Sequence, residues 1–233
     1  MNVHVLVPAA GSGSRIGGDT KKQYLELGDR PVLVQTLSRL AAHPQITAIH
    51  LIVPEADVDF CRVELVDHYR LEKIGGVIAG GAERQDSVRK GLEVCGAASQ
   101  DVILVHDGVR PFFPKDQIGP LVQLAAIEGA ALLAIPTQDT IKEVFDGLVR
   151  STLDRRLLWQ VQTPQAFRCE RIREAHQRAY NGGYVGTDDA SLIEWCGWPV
   201  AVLIGHPHNI KITTPEDLAL ARALLAAGEV SLT

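Results

Sequence analysis

The segment that follows the first apolar run of the chain combines glycines with basic side chains. Residues 7–24 read VPAAGSGSRIGGDTKKQY, which includes four glycines together with Arg15, Lys21 and Lys22. Glycine amides can approach a phosphate closely, and successive backbone N–H groups form a cradle for an anion. Arg can bridge two phosphate oxygens, whereas Lys supplies a point charge. The segment therefore predicts a phosphate-binding loop whose positive charge comes from Arg15 and Lys22.

Two well-known phosphate loops nearly match this segment and then fail. The dinucleotide fingerprint GxGxxG requires a third glycine at the position that Ile16 occupies. The P-loop GxxxxGK[ST] aligns with Gly13 and Gly18, but its lysine position holds Asp19, which would repel phosphate. The segment is therefore a phosphate loop of neither kind, and a nicotinamide-dependent redox enzyme is disfavoured.

Three further stretches place polar side chains at predicted strand or helix ends. Residues 80–87 (GGAERQDS) open a helix, where Ser87 would serve an anion or a ribose hydroxyl; a plain capped turn is the alternative. Asp107 ends a predicted strand, where it could hold Mg²⁺ or a ribose, and Arg110 follows for a second phosphate. Lys211 alternates with two isoleucines, which predicts that it points to the opposite face of a strand. So many cations predict a nucleoside triphosphate together with a phosphorylated acceptor.

The remaining metal-ligating side chains form no such pattern. Four cysteines lie far apart without a CxxC pair, which predicts reduced thiols in a cytoplasmic protein rather than a disulfide framework or a zinc site. His206 and His208 flank a proline with no third ligand in view, so no metal site is predicted there. His106, next to Asp107, is interpreted as structural.

Composition narrows the class of protein. The 233 residues are 46% hydrophobic and carry 23 Lys and Arg against 28 Asp and Glu, a net charge of −5. This balance excludes a disordered chain and argues against a general nucleic-acid binder, although a local basic patch stays open. No apolar run reaches the ~18–20 residues of a membrane span, and the start lacks the basic region of a signal peptide. We therefore expect one cytoplasmic domain over residues 1–233, with no nucleic-acid and no membrane partner.

Short aliphatic runs alternate with helical patterns along the first 136 residues. Strands are predicted at 3–7, 46–53, 76–79, 102–105 and 130–135, with helices at 32–42, 58–68, 87–95 and 115–128 between them. Near-continuous apolar strands are typical of parallel strands covered on both faces, and the alternation implies right-handed crossovers. The predicted fold is an open, mostly parallel, Rossmann-like α/β sheet flanked by helices. Its ligands would bind beyond the carboxyl ends of the strands.

The pattern changes after residue 136. Residues 137–160 are rich in charge, and Asp146-Gly147 between two short alternating segments predicts a hairpin turn. Such a hairpin has little core of its own, so we predict a protruding β-arm that packs on a partner subunit; an ordinary edge hairpin is the alternative. Beyond it we predict helices near 170–180 and 188–195, a strand at 200–204 and a last helix capped by Thr214.

Taken together, these motifs resemble the 2-C-methyl-D-erythritol 4-phosphate cytidylyltransferases over essentially the whole chain. The similar stretches are PAAGSGSR (8–15), KQY (22–24), GAERQDSV (81–88), VHD (105–107), RP (110–111), DT (139–140) with Lys142, TPQ (163–165), TD (187–188) and NIK (209–211). The resemblance implies the nucleotide-diphospho-sugar transferase fold with a β-arm. It also implies an enzyme of isoprene biosynthesis by the methylerythritol phosphate pathway. The reaction would transfer CMP from CTP to the polyol phosphate, giving 4-diphosphocytidyl-2-C-methyl-D-erythritol and pyrophosphate. Mg²⁺, or another divalent cation, would bridge the triphosphate.

The resemblance further implies a role for each matched residue. The catalytic cations would be Arg15, Lys22 and Lys211. The nucleotide would be contacted by small residues and one carboxylate: Ala9, Ala10, Gly11, Gly13, Gly81, Ser87 and Asp107, the last being also the possible metal ligand. The acceptor would be bound by Arg110, Thr140, Arg155, Thr163 and Thr187. Because the arm in this family serves the neighbouring subunit, Thr140 and Arg155 would act across a homodimer.

The chain departs from the family at a few positions, and rival functions stay open. Lys21 stands where many relatives have proline, Ala82 replaces a frequent Asp, and His208 stands where an acidic residue often precedes Asn209. The nearest rival is a ribitol-5-phosphate cytidylyltransferase, and guanylyl- or thymidylyltransferases for sugar phosphates are further ones. A rival of a different class is a non-catalytic nucleotide-binding regulator.

Overall fold

The computed structural model describes residues 1–11 and 21–232. Most of the predicted glycine-rich loop, including Gly13 and Arg15, therefore lies outside the described residues. In the first half of the chain the elements are β1 (Val3–Pro8), β2 (Glu26–Leu27), β3 (Arg30–Pro31), α1 (Val32–Ala41), β4 (Ala48–Val53), α2 (Val58–Phe60), β5 (Ile74–Ala79), α3 (Arg84–Val94) and β6 (Val102–Val105). A π-helical segment, Cys61–Asp67, continues α2.

The second half contains four helices and five strands. They are α4 (Ile118–Glu128), β7 (Ala130–Pro136), β8 (Lys142–Phe145), β9 (Leu148–Thr152), β10 (Trp159–Arg168), α5 (Cys169–Gly182), α6 (Asp189–Trp195), β11 (Ala201–Ile204) and α7 (Pro215–Ala226). Thr214 caps α7 as predicted, because its side chain accepts the Asp217 N–H while the Asp217 carboxylate accepts the Thr214 N–H.

Seven of these strands form one sheet in the order β11-β7-β10-β6-β1-β4-β5. All neighbours are parallel except β10, which is antiparallel to both β6 and β7. Successive residues of β1 face different cores: Val5 and Val7 pack with α1 and α4, whereas Leu6 packs with α3, α5 and α6. The sheet is therefore covered on both faces, which explains the near-continuous apolar strands. The predicted open, mostly parallel Rossmann-like fold is confirmed.

The local structure differs from the predictions at two places: one strand was not predicted, and one predicted strand is wrong. The antiparallel strand β10 was not predicted, because its sequence WQVQTPQAFR mixes polar residues with apolar ones. The strand predicted around Lys211 is wrong, since residues 209–213 form no strand. Two backbone hydrogen bonds fix this segment instead, from Ile212 N–H to the Val109 carbonyl at 2.9 Å and from Asn209 N–H to the His206 carbonyl at 3.0 Å. The predicted alternation nevertheless holds, because Ile212 is buried while Lys211 is exposed.

The predicted hairpin is present as a two-stranded sheet of its own. Strands β8 and β9 pair antiparallel, and both turn residues, Asp146 and Gly147, have positive φ angles of 48° and 74°. Such a turn matches the twist of two antiparallel strands. The hairpin is not an edge of the central sheet. Across the described part of the chain, no helix is long and apolar enough to cross a membrane.

Candidate active site

Two adjoining pockets open at the carboxyl ends of the central strands. The first, of about 150 Å³, lies beyond β1, β5 and β6 and is lined by Pro8–Gly11, Lys22, Gln23, Gly81–Arg84, Ser87, Asp107–Val109 and Lys211. The second, of about 300 Å³, is lined by Arg84, Asp107, Arg110, Val161–Thr163, Gln165, Thr187, Asp188 and Lys211. Both pockets share Arg84, Asp107 and Lys211. The structure thus gathers side chains from distant parts of the chain at the edge of the sheet where ligands were predicted to bind.

Asp107 is the charged centre of this boundary. Its Oδ1 lies 3.5 Å from Nε of Arg84, and its Oδ2 lies 3.4 Å from Nε of Arg110 and 2.9 Å from Nζ of Lys211. Burial by itself disfavours a charged carboxyl. The cations of Arg84, Lys211 and Arg110 outweigh burial and hold the pKa of Asp107 well below its usual range. Asp107 is therefore a carboxylate at neutral pH.

Arg84 connects this centre to a second buried carboxylate. Its Nη1 donates to Oδ2 of Asp189 at 2.6 Å, and Asp189 also lies 3.2 Å from Nε2 of His176. Burial would lower the pKa of Arg84, but Asp189 and Asp107 raise it above its usual range. Reasoning from the sequence missed Arg84 and Asp189. Arg84 stands inside the stretch 81–88, where only the glycine and the serine were selected as ligand residues.

The turn after β5 forms one wall of the first pocket. Gly81 N–H donates to Oγ of Ser87 at 3.0 Å, and that hydroxyl donates to the Glu83 carbonyl at 3.1 Å. A Cβ on Gly81 would overlap the Asp86 side chain, so glycine is required for this close approach. The structure therefore contains a turn closed by Ser87, whereas α3 has no side-chain cap at Glu83, and this turn faces the first pocket.

Lys21, just before the KQY segment, and Lys22, its first residue, have different surroundings. Lys21 Nζ lies 2.6 and 2.7 Å from the two carboxylate oxygens of Asp57, which also accept a 2.8 Å hydrogen bond from the Tyr24 hydroxyl. Gln23 donates through Nε2 to the Ala9 carbonyl at 3.0 Å. These contacts anchor the segment to the ends of β1 and β4. Lys22, between them, lines the first pocket.

Strand β10 supplies the floor of the second pocket. Its register against β7 shifts between Gln162 and Gln165, and Thr163 lies within this irregularity. Oγ1 of Thr163 accepts the Asp107 N–H at 3.1 Å and lies 3.1 Å from Nδ1 of His106. Burial lowers the pKa of His106 to about 4, so this ring is neutral at physiological pH. Thr163 thus holds the backbone of the residue that carries the central carboxylate.

Two amide side chains that the sequence pattern did not single out support the second pocket: Gln165 lines it, and buried Asn209 lies outside its lining. Buried Asn209 donates through Nδ2 to the Thr163 carbonyl at 2.8 Å. The main-chain carbonyl of Asn209 accepts a 2.6 Å hydrogen bond from Nη1 of Arg110. Gln165 donates to Asp188 at 2.6 Å and accepts the Ala190 N–H at 3.1 Å. The segment of Thr187, which lines the pocket, is therefore fixed against β10.

Within this chain, the predicted arm residues do not line either pocket. Thr140 and Arg155 are exposed and belong to neither lining. Arg155 donates through Nη1 to the Gln138 carbonyl within the arm itself, at 2.6 Å. Of the predicted acceptor-binding residues, Arg110, Thr163 and Thr187 therefore lie together in the second pocket.

The side chains near the pockets limit how the predicted metal ion could be held. Within residues 1–11 and 21–232, no group of three or more His, Cys, Asp or Glu side chains could hold a metal ion. Mg²⁺ usually keeps several waters and takes one or two carboxylates together with substrate phosphates. Asp107 supplies one ionised carboxylate between the pockets. This donor set fits an ion that arrives with a triphosphate, rather than one held in a protein cage.

An open, mostly parallel sheet whose strand ends carry a glycine turn and cations clustered around one carboxylate is typical of a nucleotidyltransferase. A family model described as 2-C-methyl-D-erythritol 4-phosphate cytidylyltransferase matches residues 3–227. The chain belongs to this family, and the predicted enzyme class, a transferase of cytidylyl groups in isoprenoid biosynthesis by the methylerythritol phosphate pathway, is confirmed.

Individual relatives agree with the family model. The 2-C-methyl-D-erythritol 4-phosphate cytidylyltransferase of Syntrophotalea carbinolica is 56% identical over 225 residues, which cover 97% of each chain. That of Geotalea uraniireducens is 48% identical over 226 residues, again 97% of each. The crystal structure of the Francisella tularensis enzyme superposes with a TM-score of 0.82 at 32% identity, covering 96% of this chain and 99% of that one. The 4-diphosphocytidyl-2C-methyl-D-erythritol synthase of Anaerococcus prevotii gives 0.83 at 30% identity, covering 97% and 96%.

Proposed function

We propose that this chain transfers the cytidylyl group of CTP to the phosphate of 2-C-methyl-D-erythritol 4-phosphate by direct in-line displacement. The observation that carries the proposal is the pair of adjoining pockets that share Arg84, Asp107 and Lys211. CTP in the first pocket and the polyol phosphate in the second would bring the α-phosphorus and the acceptor phosphate to their common boundary.

The displacement needs alignment and charge stabilisation rather than a covalent nucleophile. An oxygen of the acceptor phosphate forms a bond to the α-phosphorus, the bond to the bridging oxygen breaks, and pyrophosphate leaves with that electron pair. Preorganised cations at the developing charge are the main catalytic means for such a step. We assign this role to Lys22 and Lys211, which line the first pocket, and to Arg15 from its place in the motif.

Small residues of the first pocket bind the nucleotide. Ala10 and Gly11 would offer backbone groups to the base and the phosphates, and Gly13 would do so from its place in the motif. Ala9 and Gly81 already use backbone groups in hydrogen bonds, so they would serve by letting the nucleotide approach closely. Ser87 acts by holding the Gly81 N–H in place, since its hydroxyl already bonds within that turn. In the second pocket, Arg110 pairs with the acceptor phosphate, and Thr163 and Thr187 contact the polyol.

A Mg²⁺ ion bound together with the triphosphate would neutralise part of its charge. Asp107, which Lys211 approaches at 2.9 Å, would hold this ion. Lys211 would then exchange the carboxylate for the α-phosphate. Other divalent cations of similar size would serve the same purpose.

The functional unit that we propose is a cytoplasmic homodimer joined by the arms, over a single domain of residues 1–233 with the dimerisation arm at 137–160. Apolar side chains of the arm are exposed: Val144, Phe145, Leu148, Val149 and Leu157. Exposed apolar patches of this kind mark interaction surfaces. Thr140 and Arg155 would then reach the acceptor pocket of the partner. The four free thiols suit a reducing compartment.

The activity is tested by incubating the protein with CTP, Mg²⁺ and either 2-C-methyl-D-erythritol 4-phosphate or ribitol 5-phosphate, and measuring pyrophosphate. We expect turnover with the first acceptor and with CTP among the four ribonucleoside triphosphates. Turnover with ribitol 5-phosphate alone would transfer the assignment to that rival. CTP binding without turnover of any acceptor would favour a nucleotide-binding regulator.

Lys22 is tested against the lysine beside it. We expect Lys22→Ala to lower kcat by on the order of 10²-fold with a smaller change in CTP affinity, because its charge acts on the transition state. Lys21→Ala is the matched control, since that side chain is engaged by Asp57. Equal effects of the two substitutions on kcat would refute the assignment of Lys22.

Sharing between subunits is tested by complementation. Arg15→Ala and Arg155→Ala proteins are each expected to be nearly inactive. Mixed dimers should regain activity, because one of their two sites contains both arginines. Absence of rescue in dimers that demonstrably exchange subunits would contradict a shared site.

A further inference from the structure

Arg84 occupies the boundary of the two pockets with a carboxylate on either side. Its guanidinium lies 3.5 Å from Asp107 through Nε and 2.6 Å from Asp189 through Nη1. The side chain is 31% exposed and faces both pockets, whereas that of Asp189 is 1% exposed and belongs to neither lining. Across the described residues, the side-chain contact between Asp189 and the pocket linings is therefore the one with Arg84.

The neighbouring segments are also joined by hydrogen bonds that do not involve this ion pair. Gln85 donates through Nε2 to the Tyr184 carbonyl at 3.0 Å and accepts the Gly186 N–H at 2.9 Å. These two hydrogen bonds already hold the start of α3 against the chain that leads into α6. The contact between Arg84 and Asp189 thus fixes the direction of one side chain, rather than the packing of the two segments.

We propose that Asp189 is a positioning residue that acts through Arg84, by aiming its guanidinium at Oδ1 of Asp107. With Oδ1 engaged by Arg84, Oδ2 is turned towards Arg110 and Lys211, at 3.4 and 2.9 Å. The orientation of the central carboxylate, and through it of Lys211, is set from behind the pocket. This inference rests on the proposed function, in which Asp107 and Lys211 serve the transfer step.

Because positions in such sites matter on the scale of an ångström, a loosened guanidinium should affect the chemical step more than nucleotide binding. Asp189→Asn keeps the shape of the side chain and removes its charge. We expect it to lower kcat by on the order of 10- to 100-fold, with a much smaller change in the KM for CTP. Arg84→Lys should lower kcat similarly, because an ammonium cannot bridge two carboxylates as a planar guanidinium does.

His176 provides the matched control for damage to the core. It contacts the same carboxylate from the far side, at 3.2 Å, and its side chain is 2% exposed. His176→Ala should therefore lower the melting temperature while leaving Arg84 paired with Asp189. We expect kcat close to that of the unmodified enzyme. If His176→Ala lowers kcat as much as Asp189→Asn at a comparable melting temperature, the loss reflects packing and the inference is wrong.

The deciding experiment is a double-mutant cycle on kcat with Asp189→Asn and Arg84→Gln. If Asp189 acts through Arg84, Asp189→Asn should change kcat within about twofold in the Arg84→Gln background. If the losses in kcat of the two single variants multiply in the double variant, the inference is wrong. Wild-type kcat in Arg84→Lys would also overturn it, and that variant stays informative even if Asp189→Asn fails to fold. Lys211→Ala is measured in parallel: an unchanged kcat there refutes the role assigned to Lys211 in the proposed function, whereas the cycle alone decides whether Asp189 acts through Arg84.

Discussion

Replacement of Asp107 by asparagine should change stability, nucleotide binding and turnover in three distinguishable ways. Asparagine keeps the shape of the side chain but removes the charge that Arg84, Arg110 and Lys211 share at 2.9–3.5 Å. Three cations would then face one another at the boundary of the two pockets. Within the part of the chain that the structure describes, Arg84 is the one among them that would keep a second carboxylate, that of Asp189.

The expected cost in stability follows from the exposure of these partners. Loss of one member of a fully buried ion pair costs ~3–5 kcal/mol, whereas an exposed pair contributes ~0–1 kcal/mol. The side chains of Lys211 and Arg84 are 41% and 31% exposed, and that of Arg110 is 12% exposed. We therefore expect Asp107→Asn to lower the free energy of unfolding by about 1–3 kcal/mol. For a chain of this size that corresponds to a fall in melting temperature of ~2–12 °C.

Binding of CTP should change in the opposite direction when no divalent metal is present. The carboxylate of Asp107 repels a triphosphate, and removal of one such charge is worth ~1–2 kcal/mol at a partly open site, or roughly tenfold in affinity. Calorimetric titration of CTP in EDTA should thus show tighter binding by Asp107→Asn than by the wild type. Added Mg²⁺ should strengthen CTP binding less in the variant, and kcat should fall by on the order of 10²-fold.

Asp101→Asn is the control for a buried carboxylate outside the site. Asp101 accepts backbone hydrogen bonds from Asn2 at 2.7 Å and Ala98 at 2.9 Å and lies 3.9 Å from His4. Its replacement should lower the melting temperature without changing kcat or CTP affinity. Weaker binding of metal-free CTP by Asp107→Asn, or an unchanged melting temperature, would show that the three cations do not depend on Asp107 as we have reasoned.

Three further predictions concern other parts of the molecule. Gly81→Ala should weaken CTP binding by about tenfold or more in calorimetry, because its Cβ would displace Asp86 and open the turn, whereas Gly76→Ala, with ordinary contacts, should not. Burial lowers the pKa of His50 in the folded protein, so the unfolded chain binds a proton on this ring first as the pH falls. Stability should therefore decrease below about pH 6.5. His50→Gln should flatten this dependence in urea titrations between about pH 7 and 5. Phe145→Ser, at a side chain 73% exposed in the arm, should raise the dissociation constant of the proposed dimer ~10- to 100-fold in sedimentation, and an unchanged constant would place the interface elsewhere.

Much of the fold could be predicted because the central strands are buried on both faces. Residues 102–105 form an uninterrupted apolar run, and β6 spans the same four residues. Strand β10 was not predicted, because the same strand pairs within the sheet and lines the second pocket. Its Gln162 and Gln165 are buried and hydrogen-bonded to other segments rather than exposed, so neither apolar alternation nor a continuous apolar run is present.

The candidate site was predictable where a residue's role depends on its neighbours in sequence. Asp107 follows a strand, and Gly81 begins a turn before a helix, so both could be selected from local pattern. Arg84 could not be distinguished in that way from a solvated surface arginine. Its partner Asp189 is 105 positions away, and the contact exists only because the sheet brings α3 and α6 together.

The site concentrates cations that the net charge of the chain does not reveal. The chain as a whole carries −5, yet the boundary of the pockets combines the cations Arg84, Arg110 and Lys211 with the carboxylates Asp107 and Asp189. Lys22 adds a fourth cation on the wall of the first pocket, and Glu83 and Asp188 add two carboxylates to the linings, so four cations are matched by four carboxylates among the described residues. The carboxylates hold these cations in place against their mutual repulsion. Since each carboxylate is shared, a phosphate that enters needs to displace only one contact, such as the 2.9 Å pair of Lys211 with Asp107, to recruit a cation that is already positioned.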